Sequence, residues 1–348
     1  MNKRICALAL VLLMIFQLAA LTGCSKTPTA TEDPQSSSNS TTTEPSDTTP
    51  SETTTPTETT VPPETTVPPE TTTPPETTAP PETTAPPVTT TPVQSGNSDE
   101  MIGSLYTRGE LMAMENENKG YGPGTAKDGN RAPYAVGNQE IYGKYGANFI
   151  APDNGCIYLT FDCGYEYTIT DENGNSVRLT EKILDVLKEK NVKAVFFVTM
   201  YYVKTCPDLV QRMIDEGHAV GNHSNSHPVM PECSIDKMVE EIMSLHEYVL
   251  EHFHYTMTLF RPPTGAFSTR TLAVTQSLGY KTVHWSFAYA DWDTSSQPDR
   301  AYALDKIVGC HHSGAIYLLH AVSETNAAVL GDVIDAFLAK GYKLELFQ

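Results

Sequence analysis

CIYLTFDCGYE, residues 156–166, is the stretch from which the rest of the chain can be read. Its first six residues are apolar, β-branched or aromatic, about the length of a strand buried on both faces, and the run breaks at Asp162, Cys163 and Gly164. Parallel α/β proteins collect their chemistry at such places, on the loops that follow strand C-termini. The pattern recurs downstream as AVFFVT at 194, AVGN at 219, TLFR at 258, KTVHWSF at 281, AIYLLH at 315 and YKLELF at 342. Helical periodicities lie between these runs. Thr180 can cap a helix whose Ile183, Leu184 and Leu187 share a face, and Ser234 one that carries Ile235, Met238, Val239, Ile242 and Leu245. Gly217, Gly279 and Gly341 stand where glycines end helices. The alternation predicts an α/β fold, a distorted (β/α) barrel of about seven strands, with a doubly wound sheet as the alternative.

Upstream of this domain, taken as residues 155–348, residues 99–154 are rich in Gly, Asn and Tyr and show no clean period. They are expected to form an ordered N-terminal extension. Residues 24–98 are mostly Thr, Pro, Ser and Glu with almost no large aliphatic side chains, so they cannot bury a core and read as a disordered linker. Units such as VPPETT and APPETT repeat within residues 56–92, and their paired prolines favour polyproline II. At about 3.1 Å per residue the linker could reach on the order of 200 Å. At the N-terminus, Lys3 and Arg4 precede an apolar run from Ile5 to Leu21 broken only by Gln17, which reads as a secretory signal over residues 1–23. Leu21, Thr22, Gly23 and Cys24 resemble a bacterial lipobox, which implies diacylation of Cys24. An uncleaved anchor is the alternative, and both leave the domain tethered on the outer face of the cytoplasmic membrane.

The 348 residues carry a formal charge of -19, with 32 acidic against 20 basic side chains from Asp99 onward. An acidic surface repels phosphate backbones and anionic lipid, which argues against nucleic acid and peripheral membrane adhesion and leaves a neutral polymer as partner. Five cysteines remain after the signal and Cys24: Cys156, Cys163, Cys206, Cys233 and Cys310. The odd number and the lack of a CxxC pair give no disulfide framework.

The predicted strand ends carry ionisable residues to one rim. His223 and His227, four apart in HSNSHP, can both face one point and suit a metal, although loop histidines are also commonly solvent-facing. Asp162 and Cys163 are candidates for the remaining place in a three-ligand site. Asp162 can alternatively act as general base beside a metal-activated water, with Arg261 keeping it ionised, or simply cap its turn. His320 ends the last strongly apolar strand and can serve as general acid if a carboxylate such as Asp291 tunes it, or be a core histidine.

Taken together, TFDCGYE at 160, HSNSHP at 223, RPPTGAFS at 261, the DW at 291 and LLH at 318 resemble, in order, the five blocks of the polysaccharide deacetylase family, the NodB-homology or carbohydrate esterase family four. The resemblance covers about Cys156 to Gln348. Longer strings such as IYLTFDCGYE and GAIYLLHAVS look most like the branch that deacetylates N-acetylmuramic acid in spore peptidoglycan. The resemblance implies a distorted (β/α) barrel and removal of N-acetyl groups by a water activated by a divalent metal, zinc in the first place. It implies Asp162 as general base, His223 and His227 as metal ligands, Arg261 as partner of the base, His320 as general acid and Asp291 as its tuning carboxylate. The Thr264 N–H would help stabilise the oxyanion, and Trp292 and Leu318 would line the pocket for the acetyl methyl. Three departures stand out: Cys163 where most members have a second Asp and the muramic branch Asn, Thr264 where that branch has Arg, and Ala321 where an Asp commonly follows the last His. Thus the expectation is a monomeric, lipid-anchored hydrolase acting on peptidoglycan. Its alternatives are an inactive glycan-binding module or a deacetylase of another glycan, such as N-acetylglucosamine in peptidoglycan or chitin, or acetylated xylan.

Overall fold

The computed structural model describes residues 96–348. The expected signal peptide, Cys24 and the linker up to residue 95 lie outside the described residues.

All seven expected strands form and pair in parallel in one curled sheet. Across the sheet the order is Ala315–His320, Cys156–Cys163, Val195–Val198, Ala219–Asn222, Leu259–Phe260, Lys281–Val283 and Ala147–Asn148. Lys343–Leu344 pairs with the start of Cys156–Cys163, below the stretch that meets Val195–Val198. A parallel bridge joins Phe287, just past Lys281–Val283, to Tyr317 on the opposite edge strand, and the Leu318 N–H donates to the Phe287 carbonyl at 2.9 Å. That contact carries the sheet round into a distorted, incomplete barrel, so the barrel expectation holds and the doubly wound alternative does not.

Burial on both faces explains the unbroken apolar runs. Every residue of Cys156–Cys163 and of Val195–Val198 is buried, between helices on one side and the barrel interior on the other. Helix Leu179–Glu189 turns Leu179, Ile183, Leu184 and Leu187 inward, and helix Ile235–Phe253 does the same with Ile235, Met238, Ile242 and Leu245. Each such side chain contributes roughly 1.5–3 kcal/mol by leaving water. Ser234 caps the second helix as expected, accepting from the Lys237 N–H at 3.2 Å. Thr180 does not cap the first. The helix starts at Leu179, two residues earlier than a Thr180 cap requires, and the Thr180 N–H donates to Glu166 Oε1 at 3.1 Å, so a carboxylate from the strand-end loop satisfies the free amide.

The stretch before the first long strand has more structure than its composition suggests. Met101–Ile102 pairs antiparallel with Tyr106–Thr107, helices run Arg108–Ala113 and Pro133–Tyr142, and Ala147–Asn148 joins the sheet. Phe149 packs on Phe267 at 5.3 Å between ring centres, and Arg270 donates to the carbonyls of Leu111, Met112 and Met114. Among the described residues no helix is long and apolar enough to cross a membrane.

Candidate active site

The strand C-termini open onto a cavity of about 1130 Å³ whose walls include Asp162, His223, His227, Thr264, Trp292, Leu318 and His320. The topology explains the convergence: Asp162 and His320 are register partners on adjacent strands, and Asn222, just before His223, pairs with Phe260, just before Arg261.

Asp162 is almost wholly buried, and Arg261 NH1 donates to its Oδ1 at 2.8 Å. Arg261 is itself fully buried. Its Nε donates to the Val283 carbonyl at 3.1 Å, its NH2 to the His284 carbonyl at 3.2 Å, and its guanidinium lies 4.2 Å from the Phe197 ring centre. These contacts spend every edge of the fork on fixing one geometry. Burial alone would raise the Asp162 pKa, but Arg261, with His223 and His320, outweighs it and holds the carboxyl below its usual range.

His223 Nδ1 donates to the Arg261 carbonyl at 2.9 Å, which leaves Nε2 with its lone pair, 3.5 Å from Asp162 Oδ2. Burial lowers its pKa to about 4 despite Asp162, so the ring is neutral near pH 7. His227 sits at the cavity mouth with its ring centre 4.9 Å from that of His223, and burial lowers its pKa too. The loop between them is tied down by Glu241, whose side chain is fully buried and whose Oε1 and Oε2 accept from Ser226 Oγ and N at 2.6 and 2.7 Å. Sequence reasoning missed Glu241. A signal existed, because it falls on the apolar stripe of its helix between Met238 and Leu245.

On the strand beside Asp162, His320 Nδ1 meets Asp291 Oδ1 at 2.6 Å, and the His320 N–H donates to Asp291 Oδ2 at 2.9 Å. Desolvation works against the imidazolium, but Asp291 and then Asp162 overcome it and raise the pKa. Asn326, also unforeseen, donates to Asp291 Oδ2 at 2.6 Å and to the His320 carbonyl at 3.2 Å, and it accepts from the Tyr289 hydroxyl. As a polar residue in a first helical turn, it carried no sequence signal.

Thr264 lines the cavity with φ 60, left-handed backbone that few non-glycine residues adopt. Trp292 is exposed at the rim and stands edge-on to His320, 5.8 Å between ring centres, while Leu318 is buried in the wall. Cys163 is the exception. Successive strand residues face opposite sides, so with Asp162 toward the cavity Cys163 turns into the fully buried core among the helices. Burial, then the charges of Glu166 and Asp162, push its thiol well up, away from the thiolate a metal requires. Cys163, one of the two candidates for a third ligand, is therefore not in the cavity.

A profile of the polysaccharide deacetylase family matches residues 150–283. The peptidoglycan-N-acetylmuramic acid deacetylase PdaA of Bacillus subtilis is 42% identical over 217 residues, 61% of this chain and 79% of that protein. Its solved structure, described as a family 4 carbohydrate esterase, matches with a TM-score of 0.60 and 38% identity over 67% of this chain and 96% of the other. An uncharacterized 30.6 kDa protein of Geobacillus stearothermophilus is 45% identical over 223 residues, 63% of this chain and 80% of that protein. The chain belongs to the polysaccharide deacetylase family. It is accordingly a hydrolase, and deacetylases of this family are generally metal-dependent. Two neutral imidazoles beside a carboxylate are donors that fit a divalent cation. Among the described residues no three His, Cys, Asp or Glu side chains form a group that could hold one.

Proposed function

We propose that this deacetylase removes the acetyl group from N-acetylmuramic acid residues of peptidoglycan, outside the cell and at the end of a linker anchored through Cys24. The observation that carries the reading is a depressed carboxylate and a raised imidazole side by side at the ends of adjacent strands, both lining one cavity and each with its own buried counter-charge. The PdaA relative, named for this substrate, supports the choice of sugar.

Asp162, held ionised by Arg261, accepts the proton of the water that attacks the acetyl carbonyl. The Thr264 N–H donates to the oxygen that gains charge, a contribution worth roughly 3–4 kcal/mol in acyl transfer. His320, whose imidazolium Asp291 favours, gives its proton to the amide nitrogen as the C–N bond breaks. Acetate leaves and the amine stays on the sugar. Trp292 and Leu318 border the place of the acetyl methyl. A divalent cation, zinc in the first place, would be held by His223 and His227 and would supply Lewis acidity toward water and carbonyl.

One observation favours a second reading, N-acetylglucosamine as the target. No Lys or Arg lines the cavity among the described residues, while Glu166 does, and Thr264 stands where the muramic branch has Arg. A lactyl carboxylate would therefore meet hydroxyls rather than a cation. The deciding experiment incubates the chain with peptidoglycan and with chitin oligomers, with and without chelator, and reads acetyl loss by mass spectrometry. Loss from muramic residues that a chelator stops and zinc restores is expected. Loss from glucosamine residues alone selects the second reading, and loss from neither glycan with zinc supplied overturns both.

A further inference from the structure

The loop that carries the two histidines holds an awkward backbone. Ser224 and His227 have φ of 71 and 59, a region that non-glycine residues occupy only when their surroundings enforce it. The enforcement comes from one turn of helix Ile235–Phe253. The Glu241 carboxylate takes both the N–H and the hydroxyl of Ser226, at 2.7 and 2.6 Å, and the Glu241 carbonyl accepts from the Asn225 N–H at 2.9 Å. On the other side of the loop Asn222 donates to the Ile242 carbonyl at 2.8 Å and accepts from the Ser224 N–H at 2.9 Å. The Ser224 hydroxyl in turn accepts from the His227 N–H at 2.9 Å. Outside the loop, the Glu241 side chain meets Lys237 at 2.9 Å. A fully buried carboxylate is costly to keep, and this one spends two of its three bonds on the residue next to His227.

We propose that Glu241 is a positioning residue for the His223–His227 pair, its carboxylate clamping Ser226 so that both imidazoles meet at one point of the cavity. The inference rests on the reading of that pair as metal donors, and it makes the clamp a condition of metal affinity. Residues that orient metal ligands from behind change affinity by about ten- to a hundredfold when removed.

The test compares wild type, Glu241→Ala, Glu241→Gln and Lys237→Ala. Zinc affinity is measured by competition with a chromophoric chelator, and amide hydrogen exchange is followed by mass spectrometry. Glu241→Ala is expected to bind zinc about ten- to a hundredfold more weakly and to exchange faster at residues 225–227 while helix Ile235–Phe253 stays protected. Glu241→Gln, whose amide oxygen keeps one bond to Ser226, should fall between, and Lys237→Ala, which leaves the clamp intact, should match wild type. Should Glu241→Ala not fold, weaker zinc binding by Glu241→Gln carries the support and unchanged binding overturns the proposal. A folded Glu241→Ala with wild-type affinity and loop exchange overturns it, as does an equal loss in Lys237→Ala or a wild-type chain that takes no zinc. No glycan enters these measurements, so a chain that binds zinc through the clamped pair but deacetylates nothing would refute the proposed function and leave this inference standing.

Discussion

Arg261→Met removes the charge beneath Asp162 while keeping most of the side-chain volume. The guanidinium is fully buried and makes one ion pair, two hydrogen bonds to carbonyls and a face contact with Phe197, so its loss leaves a carboxylate and two carbonyl oxygens without their donor. Breaking a buried pair from one side typically costs about 3–5 kcal/mol, a large part of the roughly 5–15 kcal/mol that holds a domain together. The pH dependence carries the sharper sign. In the wild type the Asp162 pKa is lowered, so its contribution to stability is present above the unfolded pKa and lost as pH falls through the folded one. Without Arg261 the burial that already pushes this pKa up is no longer outweighed, and the native variant takes a proton more readily than its unfolded chain. The deficit should therefore shrink on acidification by up to about 1.4 kcal/mol per pH unit, from the raised pKa of the variant down to the depressed one of the wild type. Urea unfolding at pH 7 and at pH 4, read by the fluorescence of Trp285, whose ring centre lies 5.7 Å from the Arg261 guanidinium, measures both quantities. A variant as stable as wild type at pH 7, or a deficit that grows toward pH 4, would refute the account of Asp162 as a carboxylate held ionised by Arg261.

Asp162→Asn keeps the shape of the base, costs stability by leaving the buried Arg261 charge unpaired, and should lower kcat of the folded protein for amine release by about 10²–10⁴; a variant of unchanged activity removes Asp162 from the mechanism. Asp291→Asn takes away the charge that raises the His320 pKa against desolvation, so the alkaline limb of the kcat profile should move to lower pH and kcat should fall by about 10²–10⁴. In the wild type the stabilisation that His320 draws from Asp291 is present below the unfolded histidine pKa and is lost as pH rises through the raised folded one. Cys163→Ser places a hydroxyl in the apolar core and should destabilise the fold by about 1–3 kcal/mol while zinc affinity measured by chelator competition stays as in wild type; weaker zinc binding without a stability loss would return Cys163 to the cavity.

The architecture was legible because its signal is repeated: seven short apolar runs, most of them buried strands, and between them helices whose apolar faces keep a period near 3.6. The strand Ala147–Asn148 was not, since two residues in a Gly- and Asn-rich stretch carry no period, and only pairing with Lys281–Val283 makes them a strand. At the site, the residues that end strands were readable from the chain, whereas Glu241 and Asn326 act from the helices that follow those strand ends, at positions no strand pattern marks. Cys163 shows the opposite failure. Adjacency to Asp162 suggested a shared role, but neighbours on a strand face opposite sides, and the alternation that sends Asp162 to the cavity sends Cys163 to the core.

The electrostatics of the cavity set the two halves of the reaction apart. Arg261 lowers the Asp162 pKa and Asp291 raises that of His320, which favours the carboxylate at the prospective base and the imidazolium at the prospective acid, the pair of states hydrolysis needs at its start. That separation has a chemical cost on one side. A carboxylate held below its usual pKa is a weaker base, and water, with a pKa of about 15.7, gives it a proton reluctantly. Asp162 therefore needs water made more acidic at the spot it faces. His223 Nε2, neutral and 3.5 Å from Asp162 Oδ2, marks that spot, and His227 faces the same part of the cavity. Under the proposed mechanism, the buried Arg261 that keeps the base ready is thus also what makes the histidine pair necessary, and the proposed Glu241 clamp on the loop between them belongs to the same requirement.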